Sequence, residues 1–407
     1  MLPSKPERPR AVTALNRIAS PGARWLEHGF DAGRLLDAAR SRTGLRDFGD
    51  ESFLEPLERL LHCIRTESCL TPTGALITRA RLSGVLENRL RLEALYAEHP
   101  EIERQVIREP IIIAGLQRTG TTLLHRLLAA HPKLRWLASW EALSPVPSPG
   151  TDRRLQKAQF AERALRYLSP AFFAIHPVEA EAPEEEVLLL DYSFRSTVAE
   201  ATLRVPSFSR WLENADQLPA YRYLERLLKA LQWQHPKERW VLKTPHHLEW
   251  LDTLLEVFPD AKIIQTHRDP TRTLASFCSM IWHGRAVFSD QVDAAEIGRD
   301  WERKTLRMVT RGSQVRDAHQ NGAPHFLDVY YQGLMRDPAA ELERISAFAS
   351  LEWTESDRAK LKQARGHNQQ NKHGVHKYRL EDFGLTTAGT RERFADYVAR
   401  YTIPSEG

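Results

Sequence analysis

The chain has 407 residues, with 57 lysines and arginines against 53 aspartates and glutamates and a formal net charge of +4. This length allows one large α/β domain with a helical extension, or two to three smaller domains. Because the charges nearly balance, the sequence has no electrostatic footprint for nucleic acid, and we do not expect such a partner. Small anions stay open as ligands.

The N-terminal residues MLPSKPERPRAVTAL lack the apolar stretch of a signal peptide, and no run of the sequence approaches membrane-spanning length. The three cysteines, Cys63, Cys69 and Cys278, form neither a disulfide framework nor a paired metal-ligand spacing, and we expect them to be buried apolar residues. The sequence therefore predicts a cytoplasmic protein without a transmembrane segment.

Residues 1–105 are predicted to form a helical N-terminal region and residues 106–407 an α/β domain. The N-terminal region carries no recognisable chemistry, so structural packing is its favoured role. Glycine, proline and threonine-rich turns separate its predicted helices, which include Ala32–Ala39, Phe53–Thr66, Ala75–Leu82 and Ser83–Glu98.

The segment Pro110–Ala130 predicts a strand, a tight loop and a helix in direct succession. Ile111–Ala114 is a β-branched apolar run typical of a strand buried on both faces, and an apolar periodic segment begins at Thr121. The loop Gly115–Gly120 between them would present backbone N–H groups at the positive end of the helix dipole. This arrangement favours a bound phosphate.

The spacing of the two glycines resembles the Walker A motif, but Thr121 and Thr122 stand where that motif has lysine and then serine or threonine. The missing lysine argues against hydrolysis of ATP or GTP. Arg118 supplies a cation inside the loop, which suits one phosphate with a transferable group. The alternative is an ordinary strand-turn-helix of an α/β core without a ligand.

Two further predicted strands end in polar segments. Trp240–Leu242 leads into Lys-Thr-Pro-His-His at residues 243–247, and Ala261–Thr266 leads into Arg268, with Ser276 eight residues later in a predicted helix. A guanidinium donates two charge-assisted hydrogen bonds to a phosphate, and a serine hydroxyl adds one more. This pair therefore predicts a second phosphate contact.

After the helix predicted to begin at Thr121, candidate carboxylates occur in two places. Glu141 comes after a predicted strand, Leu134–Ala138, and a carboxylate near apolar Trp136 and Trp140 would have a raised pKa suited to proton removal. Pro183 and the acidic residues 184–186 precede an apolar run, which favours a helix start over a metal site.

Together, the run Gln-Arg-Thr-Gly-Thr-Thr at 117–122, the Lys-Thr-Pro-His-His segment and the Arg268–Ser276 pair resemble the sulfotransferase family that uses 3′-phosphoadenosine-5′-phosphosulfate (PAPS), in its bacterial branch. The resemblance covers roughly residues 110–384. It implies a P-loop-like α/β domain with a mainly parallel central sheet flanked by helices. It also implies transfer of a sulfuryl group from PAPS, without a metal, to a hydroxyl or amine of a small or lipid-like acceptor.

The resemblance assigns roles to individual residues. The 3′-phosphate would be held by Arg268 and Ser276, and Lys377 in a closing motif would approach the nucleotide phosphates. The acceptor proton would go to Glu141 or to His247, and Lys243 would neutralise charge on the sulfuryl group. The 5′-phosphosulfate would be held by Arg118, Thr119, Gly120, Thr121 and Thr122.

Some features depart from the family pattern. Arg118 stands where many members have lysine, and the extra proline and histidine of residues 245–247 leave the identity of the base open. Two other functions also stay open, a P-loop-like nucleotide kinase and a catalytically silent nucleotide-binding module that recruits a partner. Assembly into a homo-oligomer is compatible with the sequence.

Overall fold

Five parallel strands form the centre of the molecule, which we describe from a computed structural model covering residues 8–19, 29–319, 325–355, 357 and 378–406. The strand order across the sheet is β2-β3-β1-β4-β5, and all four neighbouring pairs run parallel. The strands are β1 (Ile111–Gly115), β2 (Leu134–Arg135), β3 (Arg239–Lys243), β4 (Lys262–His267) and β5 (Phe326–Tyr330).

Helices surround this sheet. Those before β1 are Arg10–Ala19, Ala32–Thr43, Leu54–Glu67 and Pro72–Glu98. Those between β1 and β3 are Thr121–Ala129, Ser139–Leu143, Arg154–Leu168, Pro170–Ile175, Val187–Leu190, Val198–Thr202, Pro206–Leu212 and Leu218–Gln234. Those after β3 are Leu251–Val257, Pro270–Phe288, Ala294–Ala318, Tyr331–Arg336, Pro338–Ala349, Thr387–Arg393 and Ala395–Arg400. Short 3₁₀ turns lie at Glu51–Phe53, Pro100–Arg104, Asp191–Ser193, Pro245–Glu249 and Leu380–Phe383.

The apolar run of β1 is buried on both faces, as its sequence predicts. Ile112 and Ala114 belong to one apolar cluster, while Ile111 and Ile113 belong to another. This alternation follows from the two-residue period of a strand. The central strand thus holds two layers of helices on the sheet.

The N-terminal helices share a core with the sheet. Leu60 and Leu86 of these helices lie in the same apolar cluster as Ile112 and Trp240 of the strands. The helix Pro72–Glu98 also packs against the helix Pro270–Phe288, and the N–H of Thr71 donates to the carbonyl of Phe288 at 2.9 Å. A division of the chain near residue 105 stays a prediction.

Some element boundaries differ from those predicted. Residues 75–98 lie in one helix, Pro72–Glu98, because buried Leu82 and Leu86 continue its packing past Gly84. The strand predicted at 134–138 ends at Arg135, since the N–H of Ala138 donates to the Glu141 carboxylate at 3.0 Å and begins a helix.

Cys63 and Cys278 are buried as expected, but the expectation is wrong for Cys69, which is exposed in a turn with a φ of 48°. The three thiols are free. Within the described ranges, no helix is long and apolar enough to cross a membrane. The cytoplasmic location stays a prediction.

Gly115 ends β1 where the strand lies closest to β4. A Cβ atom at this position would lie 1.9 Å from the Thr266 hydroxyl oxygen. We therefore expect Gly115→Ala to lower the free energy of unfolding by about 1–3 kcal/mol, the usual cost of overpacking. Urea unfolding monitored by circular dichroism measures this change.

Gly84→Ala is the matched control, because a Cβ there has no neighbour within 4 Å and the site is inside a helix. Its stability should rise by about 0.5–1 kcal/mol, the difference in helix propensity between the two residues. Equal effects of the two substitutions would contradict the close approach at Gly115.

Candidate functional site

The loop Gly115–Gly120, called the anion loop below, leads from β1 into the helix Thr121–Ala129. Arg118 and Gly120 have left-handed backbones, with φ values of 66° and 88°. The first hydrogen bond of the helix runs from the N–H of Leu124 to the carbonyl of Gly120 at 3.0 Å. The N–H groups of Thr121 and Thr122 precede that bond, so they are donors for an anion.

Thr119 is fully buried, and its hydroxyl holds the anion loop in shape. This hydroxyl donates to the carbonyl of Leu116 at 2.6 Å and lies 2.5 Å from the hydroxyl of Thr266 in β4. Because a hydroxyl has one proton, the Thr266 hydroxyl is the donor in the second contact. Thr119 can therefore offer a phosphate its backbone N–H, and its predicted phosphate contact stays a prediction.

The structure brings Arg118, Arg268 and Ser276 into one cluster. The Nε of Arg118 donates to the Ser276 hydroxyl at 3.1 Å, and the Nη1 of Arg268 donates to the Arg118 carbonyl at 3.0 Å. Burial lowers the pKa of Arg118, and the charge of Arg268 lowers it further, against the opposing effects of Tyr378 and Tyr331. Two neighbouring guanidiniums of this kind would gain from a bound anion.

The Arg268 guanidinium forms an ion pair with the carboxylate of Glu406. Glu406 accepts hydrogen bonds from Nε and Nη2 of Arg268, both at 2.8 Å. The backbone of Glu406 is held as well, because its carbonyl accepts from Arg272 at 2.9 Å and its N–H donates to Asp269 at 2.9 Å. Burial lowers the pKa of Arg268, but the contact with Glu406 outweighs it and the pKa is raised. The Arg268 guanidinium thus donates two hydrogen bonds to one anion, as a bidentate phosphate contact would require.

Lys377, the predicted residue of the closing motif, lies outside the described residues. The neighbouring Tyr378 is described, and it lies near enough to Arg118 and Arg268 to raise the pKa of both guanidiniums. The role of Lys377 stays a prediction.

A cavity of about 310 Å³ begins at the anion loop. Its polar lining includes Arg118 and Thr122 on one side and Glu184, Glu185 and His246 on another. The rest of its wall is mainly apolar and includes Leu143, Phe172, Val178, Val187, Leu188, Val198, Ala201, Phe277, Met280, Ile281 and Trp301.

Lys243, the last residue of β3, is bound by Glu185 and Glu186. Its ammonium donates to the Glu185 carboxylate, and its backbone N–H donates to Glu186 at 2.7 Å. The Thr244 hydroxyl donates to the second oxygen of Glu185 at 3.3 Å. These contacts place the Glu185 carboxylate between β3 and the cavity.

His247 lies behind the cavity wall. Its Nε2 is 2.7 Å from Glu186, its Nδ1 is 2.7 Å from the Tyr221 hydroxyl, and its side chain is fully buried. Both ring nitrogens therefore have protein partners. His246 lines the cavity instead, and burial holds its pKa well below the ordinary value, with a further effect from His247.

Glu141 is also buried away from the cavity. One of its oxygens accepts from Arg135, and the other accepts from the N–H of Ala138 at 3.0 Å. The carboxylate therefore caps the N-terminus of the helix Ser139–Leu143. Neither Glu141 nor His247 is among the residues that line the cavity. A catalytic role for either residue stays a prediction.

Sequence reasoning missed the carboxylates of the cavity wall. The predicted helix start at Pro183 is wrong, because the helix begins at Val187 and the N–H of Glu184 donates to the carbonyl of Leu137 at 2.8 Å. His176 was also missed, and burial lowers the pKa of this cavity residue to about 4. A signal was present, since three carboxylates in a row precede an apolar helix while Lys243 ends a buried strand.

Among the described residues, no group of three histidine, cysteine, aspartate or glutamate side chains could hold a metal ion. The expected independence from a metal stays a prediction.

A parallel sheet with an anion loop after its central strand defines a P-loop-like α/β protein. Residues 110–355 match the model of the sulfotransferase family, and the chain belongs to this family. The resemblance found in the sequence and the predicted fold class are both confirmed.

Two crystal structures of sulfotransferases are similar to most of the chain. STF1 from Mycobacterium tuberculosis H37Rv has 33% sequence identity and a TM-score of 0.78, over 89% of this chain and 98% of that chain. STF9 from Mycobacterium avium has 28% identity and a TM-score of 0.84, over 92% of this chain and 97% of that chain. The fold is therefore shared from the N-terminal helices onward.

The omega-hydroxy-beta-dihydromenaquinone-9 sulfotransferases Stf3 of Mycobacterium bovis and Mycobacterium tuberculosis are similar as well. Their identity to this chain is 25% over 260 residues, which is 60% of this chain and 63% of theirs. The match thus spans less than two thirds of the length of these relatives.

Glu141→Gln should destabilise the protein, because Arg135 would be left buried beside a neutral amide. We expect the free energy of unfolding to fall by about 1–3 kcal/mol, the cost of weakening a buried charged hydrogen bond. Urea unfolding checks this, with the exposed Glu181→Gln as the control. An unchanged stability of Glu141→Gln would contradict the structural role of this carboxylate.

Proposed function

We propose that this protein transfers a sulfuryl group from PAPS to a hydroxyl, or an amine, of a small or lipid-like acceptor. The observation that carries this proposal is the cluster of Arg118, Ser276 and Arg268 at the anion loop, beside an apolar cavity. Family membership supports the same reaction. The cluster would hold the donor, and the cavity would hold the acceptor.

The described side chains fit the two anionic ends of the donor. The 5′-phosphosulfate would lie on Arg118 and on the N–H groups at the start of the helix Thr121–Ala129. The 3′-phosphate would take the donors of Arg268, which hold a carboxylate at 2.8 Å in this structure, and the hydroxyl of Ser276. Lys377 would add charge next to these phosphates.

The cavity supports an apolar acceptor. Its volume of about 310 Å³ is at the lower end of the range of ligand pockets, so it would enclose a small acceptor or the reacting end of a longer one. The Stf3 relatives are named for a hydroxylated menaquinone derivative. A lipid-like alcohol is therefore our first candidate class.

Sulfuryl transfer needs alignment and charge stabilisation more than covalent help, as phosphoryl transfer does. Lys243 would neutralise the sulfuryl group once its ammonium turns from Glu185 toward the donor. Glu141 and His247 are the bases that the sequence predicts. Because neither of them lines the cavity, each would need a relay to reach the acceptor proton.

Calorimetric titration with the product nucleotide, 3′-phosphoadenosine-5′-phosphate, tests the donor site. We expect clear preference for this nucleotide over 5′-AMP and over Mg·ATP. Arg268→Ala should weaken its binding roughly tenfold to a hundredfold, because about 1.5–3 kcal/mol of charge-assisted hydrogen bonding is lost.

The exposed Arg299→Ala is the control and should bind like the wild type. Unchanged affinity in Arg268→Ala would contradict the assignment of the 3′-phosphate contact. Preference for Mg·ATP would favour a nucleotide kinase. Binding of the doubly phosphorylated nucleotide without transfer to any acceptor would favour a silent nucleotide-binding module.

A further inference from the structure

The acidic segment Glu184–Glu186 forms the cavity wall next to Lys243. Glu184 and Glu185 line the cavity, while Glu186 is buried behind them and fixed by the N–H of Lys243 and by His247. Because both contacts of Glu186 are 2.7 Å long, they anchor the segment to β3 and to the turn that follows it. The two outer carboxylates therefore have a defined position in the wall.

Four side chains that line the cavity could accept a proton: His176, His246, Glu184 and Glu185. Their surroundings make them differ in basicity and in availability. Burial lowers the pKa of His176 to about 4 and holds that of His246 well below its ordinary value, which makes both imidazoles weak bases. Glu185 is engaged by the Lys243 ammonium and by the Thr244 hydroxyl. Glu184 is the remaining carboxylate.

Three neighbours face the Glu184 carboxylate. The backbone N–H of Glu185 donates to it at 2.9 Å, and the Ser139 hydroxyl, Lys243 and the charge of Glu185 also act on it. Burial raises the pKa of Glu184, and the like charge of Glu185 adds to this, so both outweigh the lowering by Lys243 and the hydrogen bonds. A carboxylate with a raised pKa is a better proton acceptor than an ordinary one.

We propose that Glu184 accepts the proton of the acceptor hydroxyl, a role that rests on the proposed sulfuryl transfer. The acceptor oxygen forms the new bond to sulfur while the bond from sulfur to the bridging phosphate oxygen breaks. The electron pair of that bond leaves with the nucleotide, and the acceptor proton moves to Glu184 and then to solvent. Glu185 positions the Lys243 ammonium beside this transfer.

The test compares two acceptors with labelled PAPS, dodecan-1-ol and 4-nitrophenol, at mildly alkaline pH. The alcohol must lose a proton during transfer, whereas the phenol is already largely ionised. Glu184→Gln should lower kcat with the alcohol about a hundredfold or more, the usual contribution of a positioned base. With the phenol, kcat should change little, and binding of 3′-phosphoadenosine-5′-phosphate should stay at the wild-type level.

Glu181→Gln, an exposed change three residues before this segment, is the control and should behave as the wild type. For the wild-type enzyme, kcat with the alcohol should fall as the pH falls through the raised pKa of Glu184, whereas the acidic limb with the phenol should follow the ionisation of the phenol itself. The wild-type profile keeps the test valid if Glu184→Gln does not fold.

Retained turnover of the alcohol by Glu184→Gln would overturn the assignment, and so would a loss confined to Glu185→Gln. Wild-type protein that binds the nucleotide but sulfates neither probe would instead contradict the proposed function. The two failures are therefore distinguishable.

The contact between Glu406 and Arg268 supports a second, independent inference. We infer that Glu406 is a displaceable occupant of the proposed 3′-phosphate contacts, so that the nucleotide and the C-terminal segment compete for Arg268. The carboxylate uses Nε and Nη2 of Arg268, the donors that a bidentate phosphate needs. Both anions cannot hold this fork at once.

The segment before Glu406 is anchored separately. The carbonyl of Tyr401 accepts from the Tyr330 hydroxyl at 2.8 Å, and the N–H of Ile403 donates to the carbonyl of Val398 at 3.0 Å. Ile403 itself is buried. Displacement of Glu406 therefore needs movement of only the few residues after Ile403.

Glu406→Gln should raise the affinity for 3′-phosphoadenosine-5′-phosphate about threefold to tenfold, because the binding-competent fraction of the protein increases. Affinity for 5′-AMP, which lacks the 3′-phosphate, should not change, and the exposed Glu392→Gln should match the wild type. Calorimetry measures all three.

Unchanged or weaker binding of the doubly phosphorylated nucleotide by Glu406→Gln would overturn the competition. If the wild type does not distinguish this nucleotide from 5′-AMP, the donor site itself is wrong, and the proposed function fails with it.

Discussion

Two hydroxyls, those of Thr119 and Thr266, hold the anion loop against the end of β4. The Thr119 hydroxyl donates to the carbonyl of Leu116 within the loop at 2.6 Å. The same hydroxyl lies 2.5 Å from the Thr266 hydroxyl of the neighbouring strand, so it connects the loop to β4. Gly115 makes this approach possible, because any side chain there would collide with Thr266. The positions of the loop N–H groups therefore depend on two buried hydroxyls.

The same strand end connects the loop to the second anion contact. Arg268 follows β4 directly and donates to the carbonyl of Arg118, which in turn contacts Ser276. On the other side of the cavity, the carboxylates of Glu184 and Glu185 balance the charge of Lys243. Arginine and carboxylate side chains thus line one largely apolar cavity, a charge distribution that would suit the anionic donor and the acceptor that we propose.

Local patterns were enough to predict β1, the anion loop and its helix, and the residues at the ends of β3 and β4. Each of those features lies within a short stretch whose apolar run and polar end are visible in the sequence. The contacts of Glu185 with Lys243 and of Glu406 with Arg268 could not be found this way, because the partners are 58 and 138 residues apart along the chain. Contacts of that range follow from tertiary packing and leave no periodic pattern.

The surroundings of Glu141 show a different limit. Its place near Trp136 and Trp140 suggested a catalytic position, but the sequence did not reveal that Arg135 and the N–H of Ala138 engage its two oxygens. A short strand that stops early brought these groups together. Residue type and order predict chemistry well only where the backbone path between the residues is also known.

The contact between Thr71 and Phe288 joins residues that are 217 positions apart. At the usual pace of translation, roughly 10–45 s would separate the appearance of these two residues at the ribosome. During that interval, the apolar sides of the N-terminal helices have no strand to cover them. Newly made chains must therefore keep these helices from aggregating until β1, β3 and the helix Pro270–Phe288 have been synthesised.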